Sequence, residues 1–409
     1  MIDMSKVVIT SGARTPVGAF LGDLKTVPVE ELASIAIKEA LKRSNNLDPK
    51  LVGDVILGHV ESSGDAPNIG RNAALLAGLD HVPGYTVNRI CGSGTQSIVN
   101  AAMDILTGGN DIVVAGGAES LSRAPYYLPL EVRYQGLTMG NHELKDANTK
   151  YHHNAQPHPQ FPIMHMGNTA ENVVRKYNIP REDQDRFAYD SQMKAAQAIE
   201  NRRLAKEIVP VEVKGRKGAV NIVEKDGHPR PNTTMEALAK LKPAFEKDGT
   251  VTAGNASGLN DGGAAVVLMK EEKANELGLA PMAEIVDWAV SGLDPNIMGM
   301  GPAHAIRKLL DKQEMQKEDI DLYEINEAFA GQMLGVMKEL DMYLDSPLYD
   351  RINVNGGAVA LGHPLGMSGT RITMTLVYEL IEQNKKYGIA SACIGGGMGI
   401  ALLIKNPNA

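Results

Sequence analysis

The sequence predicts an α/β protein in which one layered unit occurs twice. Short apolar, β-branched runs such as KVVIT (6–10) and DVILGHV (54–60) alternate with helical patterns such as VEELASIAIKEALKR (29–43). This alternation is typical of buried strands connected by helices. At roughly 100–200 residues per domain, a chain of 409 residues has room for a duplication.

Two pairs of similar segments indicate the duplication. Residues 36–58 and 305–326 each hold a helical pattern, a short turn with an acidic residue and a strand pattern, and residues 91–120 resemble 366–397 in the same order. Repeats this long are not solenoid units. The polar stretch between them reads as an insertion. We therefore expect an N-terminal half (1–120), an inserted loop domain (121–250), the return of the N-terminal half (251–274) and a C-terminal half (275–409).

Composition argues against several classes of function. The net charge is −8, the lysines and arginines are scattered, and aromatic residues make up 4% of the chain, which argues against nucleic-acid binding. No apolar run approaches the roughly 18 residues of a membrane helix. The two cysteines, Cys91 and Cys393, are too few and too far apart for a disulfide scaffold. Because a strand pattern begins at Lys6 without a secretory pattern before it, we expect a reduced, cytoplasmic protein.

Cys91 is a candidate nucleophile. It lies in NRICGSG (88–94), directly before a glycine-rich turn that opens a helical pattern. A helix N-terminus favours the thiolate, so we expect the pKa of this thiol to fall. A buried structural cysteine explains the same residues equally well.

His363 and Cys393 are candidate partners of Cys91. His363, in NVNGGAVALGHPLGMSGTR (353–371), occupies in the second half the turn-before-helix position that Cys91 occupies in the first. If the halves pack as pseudo-symmetric partners, the two loops converge, and an imidazole there can deprotonate the thiol. Cys393 precedes three glycines whose N–H groups suit an oxyanion hole, although a small core residue at a strand end is the plainer interpretation.

Three other segments do not indicate a function from their residues alone. In EINEAFA (324–330), Asn326 and Glu327 can hold a water or a carbonyl oxygen, but a helix N-cap followed by a first-turn acid is favoured. Ser257, in TVTAGNASGLNDGGAAVVLM (250–269), belongs either to a ligand-binding segment or to an ordinary turn. The histidines at 152, 153, 158 and 165 match no metal-ligand spacing, so we expect no metal site.

Taken together, five segments in order resemble the thiolase family. They are NRICGSG, HMGNTAENV (165–173), TVTAGNASGLNDG, EINEAFA, and NGGAVALGHPLGMSGTR with CIGGGMG. The resemblance runs from Lys6 to Lys405 and is greatest to the acetyl-CoA acetyltransferase branch. It implies a thiolase-like, duplicated five-layered α-β-α-β-α fold with an inserted loop domain, assembled as a homodimer or homotetramer.

The resemblance also implies a ping-pong condensation of two acetyl-CoA molecules to acetoacetyl-CoA and CoA, and the reverse thiolysis. In the family pattern Cys91 forms the acyl-enzyme, His363 activates it, and Cys393 moves the proton of the second substrate. One oxyanion site uses His363 and a water held by Asn326, and the other uses the N–H groups of Cys91 and Gly395. Two thiols and an imidazole are sufficient for this chemistry, so acyl-CoA and CoA are the expected partners, without a cofactor or metal.

The resemblance also implies contacts to CoA and to the acyl group. Ser257 and His165 are expected near the pantetheine arm, and Arg230 and Phe245 near the nucleotide. The remaining contacts are expected at Met166, Ala256 and Phe329. Met166 is expected to narrow the acyl pocket. Residues 123–162 depart from the family pattern, which leaves chain-length preference and oligomer size open.

Three alternatives stay open at this stage. A degradative 3-ketoacyl-CoA thiolase has a wider pocket and is separated by its relative rates of thiolysis of acetoacetyl-CoA and longer substrates. A scaffold subunit with the same fold needs no chemistry, but the presence together of Cys91, His363, Cys393 and Asn326 argues against it. A Cys–His hydrolase needs no second cysteine, so full activity after Cys393→Ser would favour it.

Overall fold

The fold is built on one large mixed sheet. The computed structural model describes residues 6–149, 160–162, 164–215 and 218–409. The strands within these ranges are β1 (Val7–Arg14), β2 (Gly18–Ala19), β3 (Asp54–Gly58), β4 (Gly84–Val87), β5 (Ile112–Ser120), β6 (Tyr126–Tyr127), β7 (Lys145–Asp146), β8 (Val211–Lys214), β9 (Val220–Val223), β10 (Asn260–Lys270), β11 (Ala283–Gly292), β12 (Leu322–Ile325), β13 (Tyr387–Ile394) and β14 (Met398–Lys405). The α-helices are α1 (Val29–Arg43), α2 (Ile69–Leu76), α3 (Ser93–Leu106), α4 (Val132–Gln135), α5 (Met166–Tyr177), α6 (Arg181–Glu200), α7 (Met235–Ala239), α8 (Glu271–Glu276), α9 (Gly301–Gln313), α10 (Ala330–Glu339), α11 (Ala358–Leu361) and α12 (Leu365–Glu382).

The strand order repeats across the centre of the sheet. It runs β4-β3-β5-β10-β1 and then β11-β14-β13-β12, so each half presents the same sequence of neighbours outward from the middle. In one half β3 is parallel to β5, and in the other β12 is parallel to β13. A short antiparallel pairing of β1 with β11 joins the two halves. This topology agrees with the duplication that the repeated segments predict.

Helices pack on both faces of each half and form a layer between the halves. The helix α1 packs on β10 and β1, with α2 beside it, and α9 packs on β14 and β11 of the second half. Helices α3 and α12 contact each other and lie between the two halves of the sheet. The arrangement therefore has five layers, with an apolar core on either side of the central helix pair.

The crossing of α3 and α12 requires glycine. A Cβ added to Gly94 would lie 2.6 Å from the backbone nitrogen of Thr370, and one added to Gly369 would lie 2.9 Å from the carbonyl carbon of Gly94. The Thr370 hydroxyl donates to the Gly94 carbonyl at 3.2 Å. The two helices thus meet backbone to backbone, which brings their N-terminal turns together. No helix in the described part of the chain is long and apolar enough to cross a membrane.

Candidate active site

A cavity of about 360 Å³ opens beside the N-terminal ends of the two central helices. Its walls come from both halves and from the 121–250 segment. The lining residues are Phe20, Leu121, Asp146, Asn148, Thr149, His165, Met166, Phe245, Ser257, Gly258, Leu259, Phe329, His363 and Leu365. Cys91 packs against the group of Leu121, Leu259 and Leu365, so its thiol lies at one wall of this cavity.

The turn that carries Cys91 is strained and held in place by hydrogen bonds. Ile90 has φ of 48°, which is a true outlier for a β-branched residue. Its N–H donates to Asn88 Oδ1 at 2.9 Å, and its carbonyl accepts from the Ser93 hydroxyl at 2.6 Å. Such strain persists only where the surroundings specify it, and it is concentrated at functional sites. No sequence pattern signals this conformation.

The prediction that the pKa of Cys91 falls is wrong. Burial raises it to about 11, although the Gly395 N–H and the N–H of Cys91 itself bond to the sulfur and act in the opposite direction. The loss of hydration on burial therefore raises the pKa of Cys91 by more than the N-terminus of the helix lowers it. The same two N–H groups are those expected to form an oxyanion site, and both are directed at the thiol.

His363 is oriented by residues that sequence reasoning missed. The Ser368 hydroxyl donates to the Pro364 carbonyl at 2.8 Å, so its oxygen accepts from Nδ1 of His363 at 2.6 Å. The side-chain oxygen of Asn260 accepts from the backbone N–H of His363 at 2.8 Å. In the neutral ring this leaves Nε2 unprotonated. The one signal in the sequence for this role is the position of Ser368, a hydroxyl residue one helical turn after Pro364.

Asn326 contacts the other side of this imidazole. Its Nδ2 donates to Nε2 of His363 at 3.3 Å, and its Oδ1 is buried with no hydrogen-bond donor among the described residues. Nε2 is therefore an acceptor, as a base needs. Asn326 and His363 meet as the family resemblance leads one to expect.

The interpretation of Asn326 and Glu327 as a helix N-cap and first-turn acid is wrong. The following helix, α10, begins at Ala330. Glu327 is buried and accepts from the Ser191 hydroxyl, the Asn353 amide and the Val359 N–H. These partners are far away in the chain, so the short segment contained no sign of them.

Cys393 is fully buried at the end of β13, near Cys91. Burial raises the pKa of its thiol, and the neighbouring Cys91 raises it further. The surrounding side chains are apolar and include Met166, Met298 and Phe329. Gly395, two residues later, begins the turn to β14 and is buried as well. Both cysteines are free thiols.

The residues expected to contact CoA fall into two groups. His165 stacks on Phe245 with ring centroids 4.9 Å apart, and Phe245 meets Phe329 edge to face at 5.9 Å. Together with Met166 and Ser257 these rings line the cavity, and Ala256 pairs with Phe329 just behind it. Arg230 is exposed and does not line the cavity. Its role near the nucleotide stays a prediction.

The described part of the chain contains no cluster of three or more histidine, cysteine or acidic side chains suited to a metal ion. His165 is used differently, since its Nδ1 accepts from the Gly167 N–H at 3.0 Å and caps α5. The histidines at 152, 153 and 158 lie outside the described residues.

Comparisons with known proteins cover nearly the whole chain. The family models "Thiolase, N-terminal domain" and "Thiolase, C-terminal domain" match residues 7–272 and 279–406. An acetyl-CoA acetyltransferase of Pseudomonas aeruginosa is 48% identical, with 98% of this chain and 99% of the relative covered. A probable acetyl-CoA acyltransferase of Staphylococcus epidermidis is 46% identical over the same shares.

A solved structure agrees with these sequence matches. The crystal structure of the Bacillus anthracis acetyl-CoA acetyltransferase is similar with a TM-score of 0.93 and 49% identity, and the match covers 99% of this chain and 100% of that one. The predicted fold class is thereby confirmed. On fold, family models and full-length similarity, this chain belongs to the thiolase family.

Proposed function

We propose that this enzyme is an acetyl-CoA acetyltransferase that condenses two acetyl-CoA molecules to acetoacetyl-CoA and CoA and catalyses the reverse thiolysis. The observation that carries the proposal is the protonation of His363, whose Nδ1–H is held by Ser368 so that Nε2 is free of a proton. The names of the relatives from P. aeruginosa and B. anthracis support the same substrate.

The first half-reaction forms the acyl-enzyme. Nε2 of His363 takes the proton of the Cys91 thiol as the sulfur attacks the thioester carbonyl of acetyl-CoA. The developing oxyanion accepts from the N–H groups of Cys91 and Gly395, which are both directed at this sulfur. The carbon–sulfur bond to CoA then breaks, and His363 returns the proton to the departing CoA thiolate.

The second half-reaction forms the carbon–carbon bond. After acylation, Cys393 gives its thiol proton to Nε2 of His363. The Cys393 thiolate then takes a proton from the methyl group of a second acetyl-CoA, and the resulting carbanion attacks the acetyl group on Cys91. Asn326 and His363 stabilise the enolate oxygen of the second thioester through hydrogen bonds, which include a water on Asn326. Cys91 leaves as a thiolate and recovers a proton from Nε2 of His363, Cys393 keeps the methyl proton as a thiol, and acetoacetyl-CoA is released, so no redox partner is needed.

Apolar side chains surround the position proposed for the acyl group. Cys393 groups with Met166, Met298 and Phe329, and we place the acyl chain of the substrate against these side chains. The aromatic pair of His165 and Phe245 forms the side along which we place the pantetheine arm, with Ser257 on the same cavity. Acyl-CoA and CoA are therefore the proposed partners, and CoA is a substrate and not a cofactor.

The test is mass spectrometry of the protein after brief mixing with acetyl-CoA, with peptide mapping. We expect a labile acetyl group on Cys91 that CoA removes. Cys393→Ser should keep the adduct and lose condensation, whereas Cys91→Ser should carry none. A folded, reduced wild type without an adduct would contradict the proposal. Faster thiolysis of a longer 3-ketoacyl-CoA than of acetoacetyl-CoA would instead favour the degradative alternative.

We also propose that the enzyme is a homo-oligomer. Large apolar side chains are exposed between β5 and α5, including Leu130 at 78% and Met139 at 103% of full exposure. A second copy of the chain is the expected cover for this surface. Light scattering on the wild type and on Leu130→Asp measures the assembly, and a monomeric wild type would contradict the proposal. A cytoplasmic location stays a prediction.

The division of the chain at 120, 250 and 274 is likewise a proposal. It is supported by the pairing of β10 with β1 and β5, because the strand after the 121–250 segment returns to the sheet of the N-terminal half. Limited proteolysis that first cuts within 121–250 is the expected outcome.

A further inference from the structure

We propose that Glu119 is a positioning residue that joins the Cys91 turn to the His363 loop across the two halves of the fold. The inference rests on the proposed function for its catalytic readout. Glu119 is the penultimate residue of β5, fully buried in the layer between the halves. It does not line the cavity, so its action on the reaction passes through its hydrogen-bond partners.

Both oxygens of this carboxylate receive hydrogen bonds from separate elements. Oε2 accepts from the Val60 N–H at 3.1 Å and from the Gly366 N–H at 2.9 Å. Oε1 accepts from the Glu61 N–H at 3.1 Å, and Nδ1 of His59 lies 2.9 Å from it. Charge-assisted bonds of this type are stronger than neutral ones, and a low dielectric increases their effect. One side chain thus holds the loop after β3 and the start of α12.

A continuous path leads from Glu119 to the nucleophile. Asn88 accepts from the N–H of the strained Ile90 and donates its Nδ2 to the Val60 carbonyl at 3.2 Å. Val60 in turn donates its N–H to Glu119. The unfavourable φ of Ile90 is therefore maintained through two successive contacts that end on the buried carboxylate, and Cys91 follows Ile90 directly.

A second path leads to the base. Gly366 is the second residue of α12, so its N–H has no partner inside the helix and Glu119 supplies one. The position tolerates no side chain, because a Cβ would lie 2.6 Å from the Gly58 carbonyl oxygen and 2.8 Å from that of Ala118. Glu119 thus holds α12 at Gly366, which lies three residues after His363. Displacement of the carboxylate would move both reacting groups.

The test compares Glu119→Gln with Glu379→Gln. Glu379 is also a buried carboxylate, bonded by Arg203 and Asn355 at the far end of α12, and serves as the matched control. We expect Glu119→Gln to lower kcat for acetoacetyl-CoA thiolysis at least tenfold, with KM within threefold of wild type. Glu379→Gln should keep kcat within threefold at a similar loss of thermal stability. A folded Glu119→Gln with wild-type kcat, or equal losses in both variants, would overturn the proposal.

The pH dependence of Cys91 alkylation by iodoacetamide separates positioning from thiol chemistry. The charge of Glu119 contributes to the raised pKa of Cys91, so Glu119→Gln should move the alkylation midpoint to lower pH while kcat falls. A midpoint that rises would mean that a smaller thiolate fraction explains the loss, and would count against positioning. If the wild type transfers no acetyl group, the proposed function fails. In that case the alkylation rate is compared above both midpoints, where the thiol is fully ionised: a threefold difference there supports the positioning role, and equal rates refute it.

Asn88→Ala provides a second variant in case Glu119→Gln does not fold. Asn88 is exposed, so its truncation should leave the core intact, yet it interrupts the same path between Ile90 and Val60. We expect kcat to fall at least fivefold with KM within threefold. Unchanged kcat in Asn88→Ala would overturn the path to the nucleophile.

Discussion

The orientation of His363 depends on one hydroxyl, which makes Ser368→Ala the sharpest single test of the site. Ser368 is fully buried and accepts from Nδ1 of His363 at 2.6 Å. Truncation leaves that N–H unpaired beside a ring that is 4% exposed. A buried donor without a partner costs about 1–3 kcal/mol. At about 1.36 kcal/mol per factor of ten in rate, kcat should fall roughly 5- to 150-fold.

The physical reason is competition between the two neutral forms of the imidazole. Without an acceptor at Nδ1, the form with the proton on Nε2 becomes accessible, and it cannot take the proton of Cys91. Since Ser368 does not line the cavity, KM should stay within threefold. The change therefore belongs to the chemical step and not to binding.

The assay is steady-state thiolysis of acetoacetyl-CoA together with the rate of Cys91 acetylation. Thr373→Val is the matched control, because Thr373 is equally buried in α12 and its hydroxyl donates to the Gly369 carbonyl at 2.8 Å without touching His363. The control should lose stability but keep kcat. If Ser368→Ala retains kcat within twofold, or if the control loses as much, the assigned tautomer is wrong.

Three further predictions concern titration and packing. Burial and the nearby Glu119 raise the pKa of Glu61 to about 7 from 4.5, so its ionisation destabilises the fold as pH rises through that window. Glu61→Gln should raise the free energy of unfolding by roughly 1–2 kcal/mol at pH 8, after allowance for partial exposure, and leave it unchanged at pH 4 in urea titrations. Iodoacetamide alkylation of Cys91 in the resting enzyme should still increase above pH 9, and a plateau near pH 7 would contradict the raised pKa. Gly369→Ala should cost about 1–3 kcal/mol through overpacking at the helix crossing, whereas Gly64→Ala, with open space around it, should cost less than 1 kcal/mol.

The approach of the Cys91 turn to the helix that follows His363 could be anticipated because the duplication is visible in the sequence. Each residue stands two positions before the first residue of its helix, α3 or α12, in matching repeats. A pseudo-symmetric sheet places matching turns at the same level, and the glycine-rich crossing brings them close. Periodicity and internal similarity were sufficient for this part of the site.

The remaining features depend on contacts between distant parts of the chain. The raised pKa of Cys91 comes from enclosure by residues of both halves, which a local helix signal does not contain. The local pattern predicts a helix start at Glu327, but Ser191 and Asn353 make it a buried acceptor instead. Burial is set by the tertiary fold, so short motifs predict which residues meet better than they predict how those residues titrate.

The two raised pKa values also bear on the order of the proposed reaction. Cys91 raises the pKa of Cys393, so the thiols resist ionising together and the second thiolate is opposed while the first is present. Acylation converts Cys91 to a neutral thioester and removes that repulsion. Cys393 is then able to accept a proton from the second substrate at the stage where a base is needed. The proximity of the cysteines thus favours a ping-pong sequence in which deprotonation of the second substrate follows formation of the acyl-enzyme.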